Sequence, residues 1–110
     1  MSRERLPNRR PSVTETITWP DPHGRPVDVT AGFSVDRRVL ETFVRSAGQE
    51  GSDLGFLLDD AAVLLSRLLQ HGDLLPEIAA GLGRTSTGDR SSIIGAVVDR
   101  LIAIERRGQQ

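Results

Sequence analysis

The side chains that could do chemistry in this chain are few, and they fall in four places. Asp59-Asp60 is an adjacent pair of carboxylates, and His71 closes the run Leu68-Leu69-Gln70-His71-Gly72. Arg84 and Arg90 stand inside a stretch rich in Gly, Ser and Thr between Gly81 and Ser92, and Arg9 and Arg10 lie near the N-terminus between Pro7 and Pro11. Two carboxylates that share a proton must converge, but neighbours on a helix point about 100° apart. Asp59 and Asp60 therefore form no acid–base dyad within a helix. They sit in an apolar segment, where a buried charge needs a partner, so the expectation is an ion pair, with Arg9 or Arg10 supplying the guanidinium.

The other three places admit two readings each. His71 either closes a helix, where the dipole favours a cation, or binds a ligand; a metal is not expected, because His23 is the only other histidine and no His or Glu stands at i,i+4 spacing. No other cofactor is expected either. The Gly81–Ser92 stretch could cradle a phosphate ahead of a helix N-terminus. It lacks the Lys-Ser/Thr of a P-loop and follows no strand, so a polar connection is the plainer alternative. The arginine arm could grip phosphate or pack on protein. With one Trp and no Tyr, stacking platforms for single-stranded nucleic acid are missing.

Composition narrows the classes further. The chain has 110 residues and no cysteine, which excludes disulfides, thiolate metal sites and thiol or thiyl chemistry by these residues. All 14 basic residues are arginine, and the 15 acidic residues leave a formal net charge of −1. Arg3, Arg5, Arg9 and Arg10 against Glu4 make residues 1–12 +3, so the remainder carries −4. Overall charge gives no case for nucleic acid or membrane. No apolar run approaches the roughly 18 residues of a membrane span, and the first residues carry arginine rather than an apolar leader. A cytoplasmic protein is expected.

The elements that must hold these groups change period once. Val13–Trp19 alternates, with Val13, Glu15, Ile17 and Trp19 on one face and three threonines on the other. Pro20–Gly24 is dense in turn formers, and Arg25–Phe33 alternates again. After a turn at Asp36-Arg37-Arg38, Val39–Arg45 is apolar on both faces, as in a strand that is central or covered by a helix. Ser52 is placed to cap a helix over Leu54–Leu69, apolar almost all round and so buried on most sides or shared with a partner. Asp73 is expected to cap a short helix, Leu74–Leu82, and Ser91 or Ser92 a last one with a stripe from Ile93 to Ile104. The fold class is thus α+β: a three-stranded antiparallel β-meander followed by three helices packed on one face, with an arm over 1–12 and one domain over 13–107.

Several of these pieces, in this order, resemble one family. Leu6-Pro7-Asn8-Arg9-Arg10-Pro11-Ser12, the two threonine-bearing strands, and Asp36-Arg37-Arg38-Val39-Leu40-Glu41-Thr42-Phe43 are similar to the TSCPD domain. The likeness continues through Gly48, Gly51, Asp60-Ala61-Ala62 and Leu68-Leu69-Gln70-His71-Gly72, covering roughly residues 5–103. That domain forms the C-terminal part of adenosylcobalamin-dependent (class II) ribonucleotide reductases and also occurs in small stand-alone bacterial proteins, which this chain resembles more closely. The cysteine motif that names the family is absent here, as is a reductase's catalytic barrel. The resemblance therefore implies a non-catalytic accessory module, linked to deoxyribonucleotide supply, with a ribonucleotide reductase or another protein as partner. The alternatives are a nucleic-acid or nucleotide-phosphate binder using the arginine arm, and an enzyme working with carboxylates alone. The apolar circumference of the Leu54–Leu69 helix predicts a homodimer through that helix or a sheet edge.

Overall fold

Valine, isoleucine and threonine alternate along the first third of the chain, and β-branched side chains at period two favour pleated backbone over helix. The structure, a computed structural model, describes residues 11–20 and 22–109. Strands β1 (Ser12–Trp19), β2 (Arg25–Phe33) and β3 (Val39–Ser46) form one antiparallel sheet in the order β1-β2-β3. Glu15 lies opposite Val29, and Val29 opposite Val44, so one face collects Val27, Val29, Ala31 and Val44, all buried. The other face carries Thr14 bonded to Thr30 and Thr16 to Asp28, with Phe43 beside them and exposed. In the β1–β2 turn the Gly24 amide reaches the Pro20 carbonyl at 2.7 Å, and a Cβ on Gly24 would lie 2.1 Å from the Trp19 carbonyl. Only glycine fits there.

Three helices follow: α1 (Asp53–Gln70), α2 (Leu75–Ala80) and α3 (Ile93–Gly108). Ser52 and Ser92 cap α1 and α3, each accepting from the amide three residues on, Gly55 and Gly95. The end of α1 carries paired bonds from the Gly72 amide to Leu69 and from the Asp73 amide to Leu68, with Gly72 at φ 102°. This is a Schellman stop, and it corrects one expectation. Asp73 does not cap α2; its amide finishes α1, and α2 starts behind Leu74 with no side-chain cap.

α3 lies against the sheet with Val97, Val98, Leu101 and Ile104 inward, and α1 packs against β3 through Leu58, Ala62, Leu65 and Leu69. Each such Val, Leu or Ile side chain removed from water contributes about 1.5–3 kcal/mol. β2, not β3, is the central strand; β3 is an edge that a helix covers. Ser66 on α1 accepts from the Thr42 amide at 3.0 Å and donates to the Thr42 carbonyl at 3.3 Å, and Gln70 Nε2 donates to the Leu40 carbonyl at 3.1 Å. Side chains of α1 thus occupy backbone groups that a fourth strand would otherwise seek.

Candidate functional site

The polar groups gather at α3, away from α1. Arg90 ends the connection between α2 and α3, and its side chain is 7% exposed. Nε and Nη2 hold both oxygens of Asp99 at 2.9 and 2.8 Å, and Nη1 donates to the carbonyls of Ala79 and Leu82 at 3.0 and 3.2 Å. Planar forked geometry lets one guanidinium tie α2 to α3 in this way. Gly95 makes room for it, since a Cβ there would come within 3.0 Å of Arg90 Cδ. The hydrogen bonds from Arg90 hold the Asp99 carboxyl below its ordinary range, against the opposing pull of partial burial.

A second ion cluster joins the two ends of the fold. Glu15 on β1 takes Arg100 of α3 at 2.9 Å on one oxygen and Arg107 on the other. Burial alone would raise this carboxyl, but the two guanidinium groups outweigh it and the net shift is downward. Between the clusters lies a cleft of about 670 Å³ whose walls include Trp19, Thr85, Asp89, Arg90, Asp99 and Arg100. Every guanidinium facing it that is named here is already paired with a carboxylate or carbonyls.

The described residues picked out from sequence fall on separate parts of the fold. Arg84 and Arg90 are brought together: they form a bridge closing a hairpin, in which Arg84 Nη1 donates to the Gly88 carbonyl and the Thr85 amide to Asp89. The polar connection is therefore a built hairpin, and Arg90 belongs to the interior. His71 is the exposed residue closing α1, its amide donating to Arg67 and Leu68 carbonyls. Asp59 and Asp60 are both exposed, which overturns the argument that burial obliges them to pair. α1 buries the stripe Leu58, Ala62, Leu65 and Leu69, with Gln70 at its end, and 59 and 60 fall off it. Arg9 and Arg10, and any pairing of theirs, lie outside the described residues. Among the described residues, no group of three or more His, Cys, Asp or Glu could hold a metal ion, and no helix is long and apolar enough to cross a membrane.

Sequence reasoning passed over Glu15 and Asp99. A signal for Glu15 existed: it is the one charge among Val13, Ile17 and Trp19 on an inward face, which calls for a cation. Asp99 carried none, because nothing in its spacing from Arg90 distinguishes it from a solvated helix residue.

The outer face of α1 is largely apolar. On α1, Phe56, Leu57, Val63, Leu64 and Leu68 are 43–66% exposed, and Phe43 on β3 is 60% exposed. Phe43 and Val63 flank a groove of about 360 Å³ between β3 and α1, floored by Ser66 and Gln70. The Oε1 of Gln70 is buried there with no hydrogen-bond partner among the described residues.

These features define a small α+β domain built from a meander and three helices, with Arg90–Asp99 and Glu15–Arg100–Arg107 tying its elements together. The chain belongs to the TSCPD domain family, whose profile matches residues 2–104. Among curated proteins and among solved structures, none matches this chain.

Proposed function

We propose that this chain is a non-catalytic module that works by docking on protein, connected through its family to ribonucleotide reductases and deoxyribonucleotide supply in the bacterial cytoplasm. TSCPD domains are found in ribonucleotide reductases. The observation that carries the docking reading is the exposed apolar face of α1, where Phe56, Leu57 and Leu64 are each more than half exposed. Large apolar side chains gathered on one helix face mark interaction surfaces more often than scattered single ones do. The non-catalytic reading is supported by the lack of cysteine in these 110 residues, since ribonucleotide reduction proceeds through thiol groups. It is supported also by Arg90, Arg100 and Arg107, which hold Asp99 and Glu15 rather than standing open to a substrate anion. Phosphate binding by the arm and the Arg84–Arg90 hairpin is the weaker reading, because Arg90 is engaged inside.

The test mixes the purified chain with a ribonucleotide reductase of the same cell and follows complex formation by mass photometry. Association through the α1 face, with the reductase or between copies of the chain, that Leu57→Asp weakens roughly tenfold or more, with no ribonucleotide turnover and no cobalamin bound by the chain alone, is the expected result. No association of any kind, or association indifferent to Leu57→Asp, overturns the docking reading; turnover or stoichiometric cobalamin overturns the non-catalytic one.

A further inference from the structure

Resting on that docking reading, we infer that the occupant of the α1 face is a second copy of this chain, its α1 packed antiparallel across a twofold axis passing between Val63 and Leu64. A twofold interface must be complementary to itself: whatever residue i meets at j, j must meet at i. The exposed strip of α1 satisfies this in charge. Down its middle run Asp60 and Arg67, both exposed and neither in an ion pair among the described residues. Val63 and Leu64, exposed by 56% and 65%, lie midway between them.

At 1.5 Å per residue, Asp60 and Arg67 stand about 5 Å to either side of that midpoint along the helix axis. Turning a second helix end for end about the midpoint brings Asp60 level with Arg67 of the other copy, twice over. The same operation sets Val63 and Leu64 against their own counterparts at the axis. It also brings Phe56 and Leu57 level with the exposed His71 end of the other α1. Two ion pairs therefore flank an apolar centre, a pattern that fixes antiparallel register in helix pairs.

Other occupants match this strip less well. A parallel arrangement would set Asp60 against Asp60 and Arg67 against Arg67. A lipid surface would favour a basic polar strip, whereas Asp53, Asp59 and Asp60 make this one acidic at its N-terminal half. The sheet offers less to a twofold partner on the β3 side, where Ser66 and Gln70 already hold the edge.

The experiment is sedimentation of the full chain between about 1 and 100 µM, the range in which modest protein interfaces associate. Wild type should be dimeric at the upper end. Leu64→Asp, at a position that faces solvent in the isolated domain, should leave the circular dichroism spectrum intact and give a monomer. Asp60→Arg should weaken the dimer roughly tenfold or more by setting like charges together. Asp60→Arg combined with Arg67→Asp should bring affinity back, because the swapped charges still meet across the axis. The absence of native cysteine gives a second readout: Val63→Cys should cross-link to its copy on mild oxidation, whereas Glu77→Cys, exposed on α2, should not. A chain monomeric throughout, a dimer unmoved by Leu64→Asp, or a charge swap that fails to restore affinity would overturn the inference. A monomeric chain whose reductase complex is nonetheless lost on Leu64→Asp refutes the twofold packing and leaves docking standing. A chain that associates with nothing refutes both.

Discussion

Two regions of this domain use their residues in opposite ways. At α3 a guanidinium is nearly buried and forks between a carboxylate and two carbonyls. On α1, barely a helix away in sequence, leucines and a phenylalanine stand in water. A charge goes inside only when its hydrogen bonds are complete, and an apolar strip stays outside only when something else is to cover it. The first region is closed and the second is open. Function should therefore be sought on the apolar side, and the polar residues around the cleft beside Trp19 and Arg90 should matter mainly to stability.

Neighbouring leucines give the sharpest way to break this contrast. Leu65 is 4% exposed and Leu64 65%, so Leu65→Ala should destabilise the fold by about 2–5 kcal/mol. Leu64→Ala, compared under dilute conditions, should stay within about 0.5 kcal/mol. Chemical denaturation of both variants decides it, and similar losses would mean that α1 is covered all round. Arg90→Met comes next. It leaves Asp99 and the carbonyls of Ala79 and Leu82 without their donor, and should lower the melting temperature by roughly 10 °C. Arg90→Lys should not rescue it, since a single ammonium cannot reproduce the fork.

Much of this was legible beforehand, and the reasons differ by element. The strands and helices announce themselves by a change of period, from Val27-Asp28-Val29 to Leu58, Ala62, Leu65 and Leu69. Whether β3 is central or a covered edge was not legible, because a helix beside a strand and a strand beside a strand demand the same apolar residues. Asp73 read as a cap, since the sequence of a helix stop followed at once by a helix start gives one residue two candidate duties. The site was less legible than the fold. Asp59 and Asp60 drew attention by their apolar company, yet that company faces two ways; half of it is exposed beside them. The Arg90–Asp99 pair depends on a hairpin and a glycine in α3, and no local spacing encodes either.

A smaller effect tests the seam between the two regions. Ser66→Ala removes both bonds to Thr42 on the β3 edge, one given and one received. The expected loss is about 1–2 kcal/mol, and amide exchange at Thr42 should quicken in step. No change at Thr42 would mean that water serves the edge as well as Ser66 does.

The gentlest probe is acid. Glu15 and Asp99 both titrate lower in the folded chain than in the unfolded one. Groups of this kind stabilise the fold above their unfolded values, near pH 4, and that contribution disappears as pH falls through the lower folded values. Thermal melts should therefore decline on acidification below about pH 4. Glu15→Gln should flatten part of that decline, and an unchanged slope would show that its arginines do not act on it in solution.

The serine and glutamine that α1 lays along β3 also limit how far these molecules can add to one another. Cross-β growth requires each unit to present two unpaired strand flanks, one to join and one to be joined. In this sheet the β3 flank has its Thr42 amide and carbonyl and its Leu40 carbonyl occupied by side chains, so among the described residues β1 is the flank left to pair. If β1 met β1, both molecules would use their available flank at once, and the six-stranded ribbon would end on each side in an occupied strand. Growth of the sheet itself would stop at two molecules. Ser66 and Gln70 thereby take from strand-by-strand growth three of the backbone groups that a valine- and threonine-rich sheet would offer along β3.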